Sequence, residues 1–251
     1  MPISSLILLL ILFFVTSAIG VVTGSNSLIT VPVMFQFGVD PKIAVATNMF
    51  GLTFMNIGAT IPFVRQGIID YRKTTPLIFL TLVSSAIGAI LVGLITNQSI
   101  KIIVSVAMIA VAVFTLFKRD AGVAQKTEIS RGTLALVYVL TFLLGVYGGL
   151  YSGGYVTILT AVYVAFFGMT FSESVASTKF INVFSSLIAT LIFMWQGLVD
   201  YKLGLILAVT MFIGAYIGAH VVTKLSDVWL KRIFLATVFI LAAKTIYDFI
   251  S

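Results

Sequence analysis

QGIIDYR occupies Gln66 to Arg72, and QGLVDYK occupies Gln196 to Lys202, 130 positions later. The same offset brings other matches into register. Gly38 meets Gly168, Val45-Ala46 meets Val175-Ala176, and Phe50 meets Phe180. Ala59-Thr60 meets Ala189-Thr190, Gly88-Ala89 meets Gly218-Ala219, and Lys101 meets Lys231. Ahead of Gly38 the matches slip by a few residues. The sequence therefore reads as two homologous halves, 1–118 and 132–251, joined by a hydrophilic linker over 119–131.

Composition says where such a chain resides. Of 251 residues, 60% are hydrophobic and 9% are charged. A soluble domain carries roughly 25% charged residues. The apolar runs here last about 18 to 25 residues, long enough to cross a bilayer as helices. A β-barrel would alternate in segments of about ten residues; these runs are continuous. The expectation is an all-α polytopic protein of the cell membrane, multi-pass and in contact with lipid. No cysteine is present, and the single histidine, His220, cannot form a metal cluster alone. No cofactor is expected. The net charge of +7 is spread over loops without a long basic cluster, so it reads as an orientation signal rather than a nucleic-acid surface.

Each half repeats one series. A long apolar run comes first, Leu6 to Phe37 and then Leu134 to Phe167, each interrupted by small residues. The interruptions are GVVTGSNS (Gly20 to Ser27) and GVYGGLYSGG (Gly145 to Gly154). Three transmembrane helices follow, near 41–65, 74–96 and 99–117, then near 171–195, 203–225 and 228–250. Irregular backbone at membrane depth survives only when buried in protein or lining a polar cavity. The glycine-broken segments are therefore expected to be re-entrant and to face a central site. Half-helix N-termini would there offer free N–H groups and a positive dipole end to an anion. The alternative is that the glycines permit close helix packing.

The QG motif reads as a turn with anchors. Gly67 and Gly197 follow apolar helices, where a left-handed glycine closes the end. Asp70 and Asp200 precede the next helices as N-caps. Tyr71, Tyr201, Arg72 and Lys202 suit the membrane interface. Asp40-Pro41 and Thr170 to Glu173 predict two further helix starts, the second a capping box. Lys244 and Asp248 are spaced to pair with each other.

Polar residues inside the following helices are the candidate ligands: Thr47 and Asn48 in the first half, and Ser177, Thr178, Lys179 and Asn182 in the second. Gly24, Ser25, Asn26, Ser27, Gly153 and Gly154 join them from the breaks. Asn56, Ser185 and Ser186 are further polar residues on the same helices. Lys179 lies about nine residues into its helix, roughly 13 Å from the end. At that depth a lysine costs roughly 2.5–3.5 kcal/mol to insert. With no acidic residue one turn away, an anionic substrate is a natural partner. His220 reads as a packed, hydrogen-bonded histidine.

These motifs carry a resemblance. The string GVVTGSNSLITVPVMFQFGVDPKIAVATNMFGLTFMN, followed by QGIIDYR and echoed by GGLYSGGYVT, VASTKF and QGLVDYK, resembles the TauE/SafE family of sulfite exporters and sulfonate permeases. The resemblance covers nearly the whole chain and implies a secondary transporter, an exporter of sulfite or organosulfonates. Many relatives carry a run of glycines where this chain has Gly24-Ser25-Asn26-Ser27. An uptake permease and a non-transporting scaffold are the alternatives. No paired carboxylates, metal cluster or nucleophile–base pair points to an enzyme. A homodimer is compatible with the sequence. The distribution of Lys and Arg favours inverted over parallel halves, placing the 66–72 turn in the cytoplasm and the 196–202 turn outside.

Overall fold

The computed structural model describes residues 3–24, 26–117, 129–226, 228, 229 and 232. Nine helices are found among them: α1 Ile3–Thr23, α2 Asn26–Gln36, α3 Pro41–Arg65, α4 Tyr71–Leu94, α5 Asn97–Phe117, α6 Arg131–Leu150, α7 Tyr155–Phe166, α8 Phe171–Trp195 and α9 Tyr201–Val222. No strand occurs among the described residues. Six of the helices, α1, α3, α4, α6, α8 and α9, are long and apolar enough to cross a membrane. The surface is apolar, and polar side chains are buried within an apolar core. Phe79, Leu94, Val83 and Leu143 face outward, while Ser, Thr and Asn side chains are buried. This is a multi-pass membrane protein. Ser25, linker residues 119–128, Lys244 and Asp248 lie outside the described residues, as does most of the expected 228–250 helix.

The helix ends follow from local chemistry. Gly67 is left-handed (φ +66°), and its turn is closed by Ile68 N to Phe63 O (3.2 Å) and Gly67 N to Val64 O (3.1 Å). Gly197 (φ +69°) repeats this with Leu198 N to Phe193 O at 3.0 Å and Gly197 N to Met194 O at 3.1 Å. Both are Schellman ends. Asp70 accepts from the N–H groups of Arg72 and Lys73, and Asp200 from that of Leu203. Asp40 caps α3 ahead of Pro41, and Thr170 with Glu173 forms the full capping box of α8.

Backbone conformation recurs at the same offset as the sequence. The described residues with positive φ are Gly24, Gly38, Gly67, Gly154, Gly168 and Gly197, three pairs each 130 apart. The slip expected ahead of Gly38 is thus absent at Gly24. The left-handed turn needs one glycine in each half, and the glycines flanking Gly154 had obscured which one is equivalent.

Packing fixes the relative directions. Along α4 and α8, Thr74 lies 3.3 Å from Ser177, Ser85 2.6 Å from Ser185, and Gln196 3.4 Å from the Ala89 carbonyl. These two helices run parallel. So do α3 and α9, tied by Thr47 to the Asp200 N–H at 3.0 Å and by Arg65 to Tyr216 at 3.5 Å. Between α3 and α8 the order reverses: Thr53 meets Thr190 at 3.1 Å, and Asn56 meets Ser186 at 3.5 Å. Asn56 and Ser186 are themselves 130 apart. The 66–70 and 196–200 turns therefore lie at opposite ends of the bundle.

Single cysteines at Arg72 and Lys202, both exposed in a cysteine-free chain, test this in a membrane. Arg65, Arg72, Lys73, Arg131 and Lys224 lie toward one end, and Lys42, Lys101 and Lys202 toward the other. The positive-inside rule then predicts that the first end is cytoplasmic. An impermeant maleimide added to intact cells is expected to label the Lys202→Cys protein and spare Arg72→Cys. Equal labelling at both positions would contradict the arrangement.

Contacts run back across each of the two breaks. Asn26 donates from α2 back to Ser17 of α1 at 3.0 Å. Thr141 of α6 donates to the Tyr163 hydroxyl of α7 at 3.3 Å. Other glycines serve close crossings, as the packing alternative anticipated. A Cβ on Gly149 would overlap the Ser85 carbonyl, and one on Gly214 would lie 2.6 Å from the Phe14 carbonyl oxygen.

His220 departs from expectation. It is exposed in the last turn of α9. Gly218 and Ala219 form the crossing with α1, and the 100° step of the helix carries the next residue away from that face.

Candidate substrate site

The two breaks meet each other. Gly24 ends α1 in the left-handed conformation, and a Cβ there would stand 2.7 Å from the Thr157 nitrogen and 2.8 Å from Val156 Cβ. Only glycine satisfies both the φ and the space. Thr157 donates to the Thr23 carbonyl at 2.6 Å, and the Ser27 and Ser152 hydroxyls lie 2.7 Å apart. The buried Tyr151 hydroxyl donates to the Ser27 carbonyl at 2.8 Å. The N-terminal turns of α2 and α7 thus come together in the protein interior, where the positive ends of their helix dipoles favour negative charge.

Helices α3 and α8 supply the walls. Asn48 Nδ2 donates to Ser27 Oγ at 2.8 Å, and its Oδ1 lies 2.8 Å from the Thr30 hydroxyl. In the second half Thr160 and Thr178 lie 3.2 Å apart. These are the positions of Thr30 and Asn48 shifted by 130.

Lys179 is 2% exposed. Its ammonium donates to the Gly20 carbonyl at 2.7 Å. That carbonyl belongs to the last turn of α1, the negative end of a helix dipole. No carboxylate among the described residues pairs with Lys179; the one ion pair found there is Lys73 with Asp70 at 3.9 Å. An ammonium has three donors, and one protein bond accounts for one of them. The site therefore combines two half-helix N-termini, a ring of hydroxyls and amides, and one buried cation.

Of the residues singled out from sequence, Gly24, Asn26, Ser27, Asn48, Gly153 and Gly154 gather at the breaks, with Thr178 and Lys179 beside them. Gly153 accepts from the Tyr147 hydroxyl. Thr47 goes elsewhere, bonding the first turn of α9, and Ser177 bonds Thr74 in the first turn of α4. Asn182 faces α3. Sequence reasoning passed over Ser17, Thr30, Tyr151, Ser152, Thr157 and Thr160. The 130-residue offset was a signal for two of them, since Thr30 and Thr160 recur together with Asn48 and Thr178. No group of three or more His, Cys, Asp or Glu side chains suited to a metal occurs among the described residues.

Residues 8–245 match the sequence pattern described as Sulfite exporter TauE/SafE. The chain belongs to the TauE/SafE family. Its relatives include a probable membrane transporter protein of Haemophilus influenzae, 26% identical over 244 residues, covering 96% of this chain and 95% of that protein. YfcA of Escherichia coli K12, also a probable membrane transporter protein, is 25% identical over 245 residues, covering 96% of this chain and 91% of the relative. The probable membrane transporter ORF9 of a Sinorhizobium species is 27% identical over 210 residues, covering 82% of this chain and 79% of its own. Membership of the TauE/SafE family over nearly the full chain makes this a membrane transporter. The names of these relatives state transport and no substrate.

Proposed function

We propose that this TauE/SafE protein transports small oxyanions of oxidised sulfur, sulfite or an organosulfonate, as a secondary exporter. One observation carries the reading. Two half-helix N-termini converge beside a buried lysine that no described carboxylate neutralises. A pyramidal or tetrahedral oxyanion supplies the missing charge and several acceptors to N–H, hydroxyl and ammonium donors. Export of an anion gains about 2.3 kcal/mol per charge per 100 mV from an inside-negative potential. The halves 1–118 and 132–251 act in this reading as inverted repeats around the site. The hairpins α1–α2 and α6–α7 are their re-entrant segments, which suits alternating access. The substrate ligands are Gly24, Ser25, Asn26, Ser27, Asn48, Gly153, Gly154, Thr178 and Lys179. Thr47 and Ser177 hold the helices that carry them.

The test is a ligand panel on the purified protein. Thermal shifts are measured with sulfite, sulfate, thiosulfate, sulfoacetate and simple carboxylates, then flux in proteoliposomes with gradients imposed in either direction. Sulfite or a sulfonate is expected to raise the melting temperature and to be transported, and carboxylates are expected to do neither. Absence of flux for every sulfur oxyanion would reject the reading. Inward movement alone would reject export in favour of uptake.

A further inference from the structure

Carboxylates, the usual carriers of coupling protons in membranes, are confined to helix caps among the described residues. Asp40, Asp70 and Asp200 accept from first-turn N–H groups, and Glu173 accepts from the Thr170 N–H. The interior holds a different polar feature, a pair of buried oxygens without partners on the face of α3 that packs against α8. Asn56 and Thr60 lie one helical turn apart on α3 and are 0% and 7% exposed. Asn56 Nδ2 lies 3.5 Å from the Asn182 carbonyl and 3.5 Å from Ser186 Oγ. Those contacts orient the amide, because turning it over would set oxygen against the Asn182 carbonyl. Asn56 Oδ1 is then left with no partner, and Thr60 Oγ1 has none either. The antiparallel register, set by Thr53 with Thr190 and Asn56 with Ser186, brings Thr60 opposite Asn182. The Asn182 side chain is 4% exposed.

A buried acceptor without a donor costs about 1–3 kcal/mol. Here the acceptor is an amide oxygen, which repels an anion. Neither an amide nor a hydroxyl takes up a proton at neutral pH. Neutral, hard oxygen donors suit a hard cation. We propose that Asn56, Thr60 and Asn182 bind a monovalent alkali cation, sodium, whose occupancy favours binding of the transported anion. The proposal rests on the anion-transport reading for its partner. Lys179 lies one turn from Asn182 on α8, so its positive charge opposes sodium until an anion is bound. Occupancy of the two sites is therefore positively coupled, and reciprocally so.

Two measurements test this. In the first, sulfite flux is compared in sodium and N-methylglucamine gluconate at equal ionic strength. Sodium is expected to stimulate flux at least about fivefold. Asn56→Leu and Thr60→Val are each expected to lose the stimulation and keep the sodium-free rate. Equal flux of the unaltered protein in both salts would overturn the proposal and leave a structural water beside Asn56 and Thr60; so would stimulation that survives in either variant. The second measurement needs no transport. In Lys179→Met the repelling charge is gone, so sodium gluconate alone is expected to raise the melting temperature, and adding Thr60→Val is expected to abolish that rise. No sodium effect in Lys179→Met would overturn the cation site whatever the protein transports. Failure of the unaltered protein to move any sulfur oxyanion would instead overturn the functional reading, with this second test still standing.

Discussion

Lys179→Met is expected to weaken anion binding about 10- to 100-fold, with flux falling in parallel, while the protein melts no earlier than the unaltered one. The ammonium is buried, and its protein partner is a neutral carbonyl, that of Gly20 at 2.7 Å. Methionine has a similar unbranched reach and fits irregular apolar space. Replacing the lysine removes a buried charge that no described carboxylate pairs with, and burial of such a charge is unfavourable. Folding therefore loses little and can gain. Binding loses a charge-assisted hydrogen bond, worth about 1.5–3 kcal/mol, which is one to two powers of ten in affinity. Thermal melts and sulfite flux in the same preparation separate the two effects. Flux equal to that of the unaltered protein would make Lys179 a structural residue bound to α1 and would remove the cation from the site. A collapse in melting temperature would show that its hydrogen bond to Gly20 holds α1 in place.

The helix ends were legible because their chemistry is local. A glycine after an apolar run and an aspartate two residues ahead of the basic residue determine the turn at 66–72 without reference to the rest of the chain. The capping box at Thr170 and Glu173 is equally self-contained. The site was legible only in part. Lys179 stood out because charge at membrane depth is rare, and the breaks stood out by their glycines. Thr47 and Ser177 looked the same as Asn48 and Thr178 in sequence. What separates them is a partner far along the chain, Asp200 for Thr47 and Thr74 for Ser177. No local pattern encodes those contacts. Ser152 and Thr157 were hidden for the same reason, since their partners Ser27 and Thr23 lie across the other break. The repeat offset is the one long-range signal a single sequence carries.

Gly88→Ala and Gly218→Ala are expected to destabilise the protein by similar amounts, about 1–3 kcal/mol each, and the leucine variants to yield no folded protein. Gly88 lies where α4 crosses α6: a Cβ there would overlap the Val146 carbonyl oxygen and stand 2.7 Å from the Leu150 nitrogen. Gly218 lies where α9 crosses α1: a Cβ there would overlap the Ala18 carbonyl oxygen and stand 2.8 Å from Ala18 Cα. In both cases the obstacle is backbone, which cannot swing aside as a flexible side chain does. The helices must move apart. In a bilayer that loss is uncompensated, because association there depends on close van der Waals contact rather than on expelling water. The crossing at Gly88 also holds α6, whose C-terminus leads into the break at Tyr151 to Gly154. The crossing at Gly218 holds α1, whose C-terminus presents the Gly20 carbonyl to Lys179. Each alanine is therefore expected to lower anion affinity along with stability, although neither glycine lies within the cluster of hydroxyls. Melting in detergent and sulfite binding read the two effects. A Gly88→Ala protein that melts with the unaltered one would mean that α4 and α6 do not approach this closely. If Gly218→Ala alone were disruptive, the two crossings would be unequal, and the 130-residue recurrence would not extend to how the helices pack.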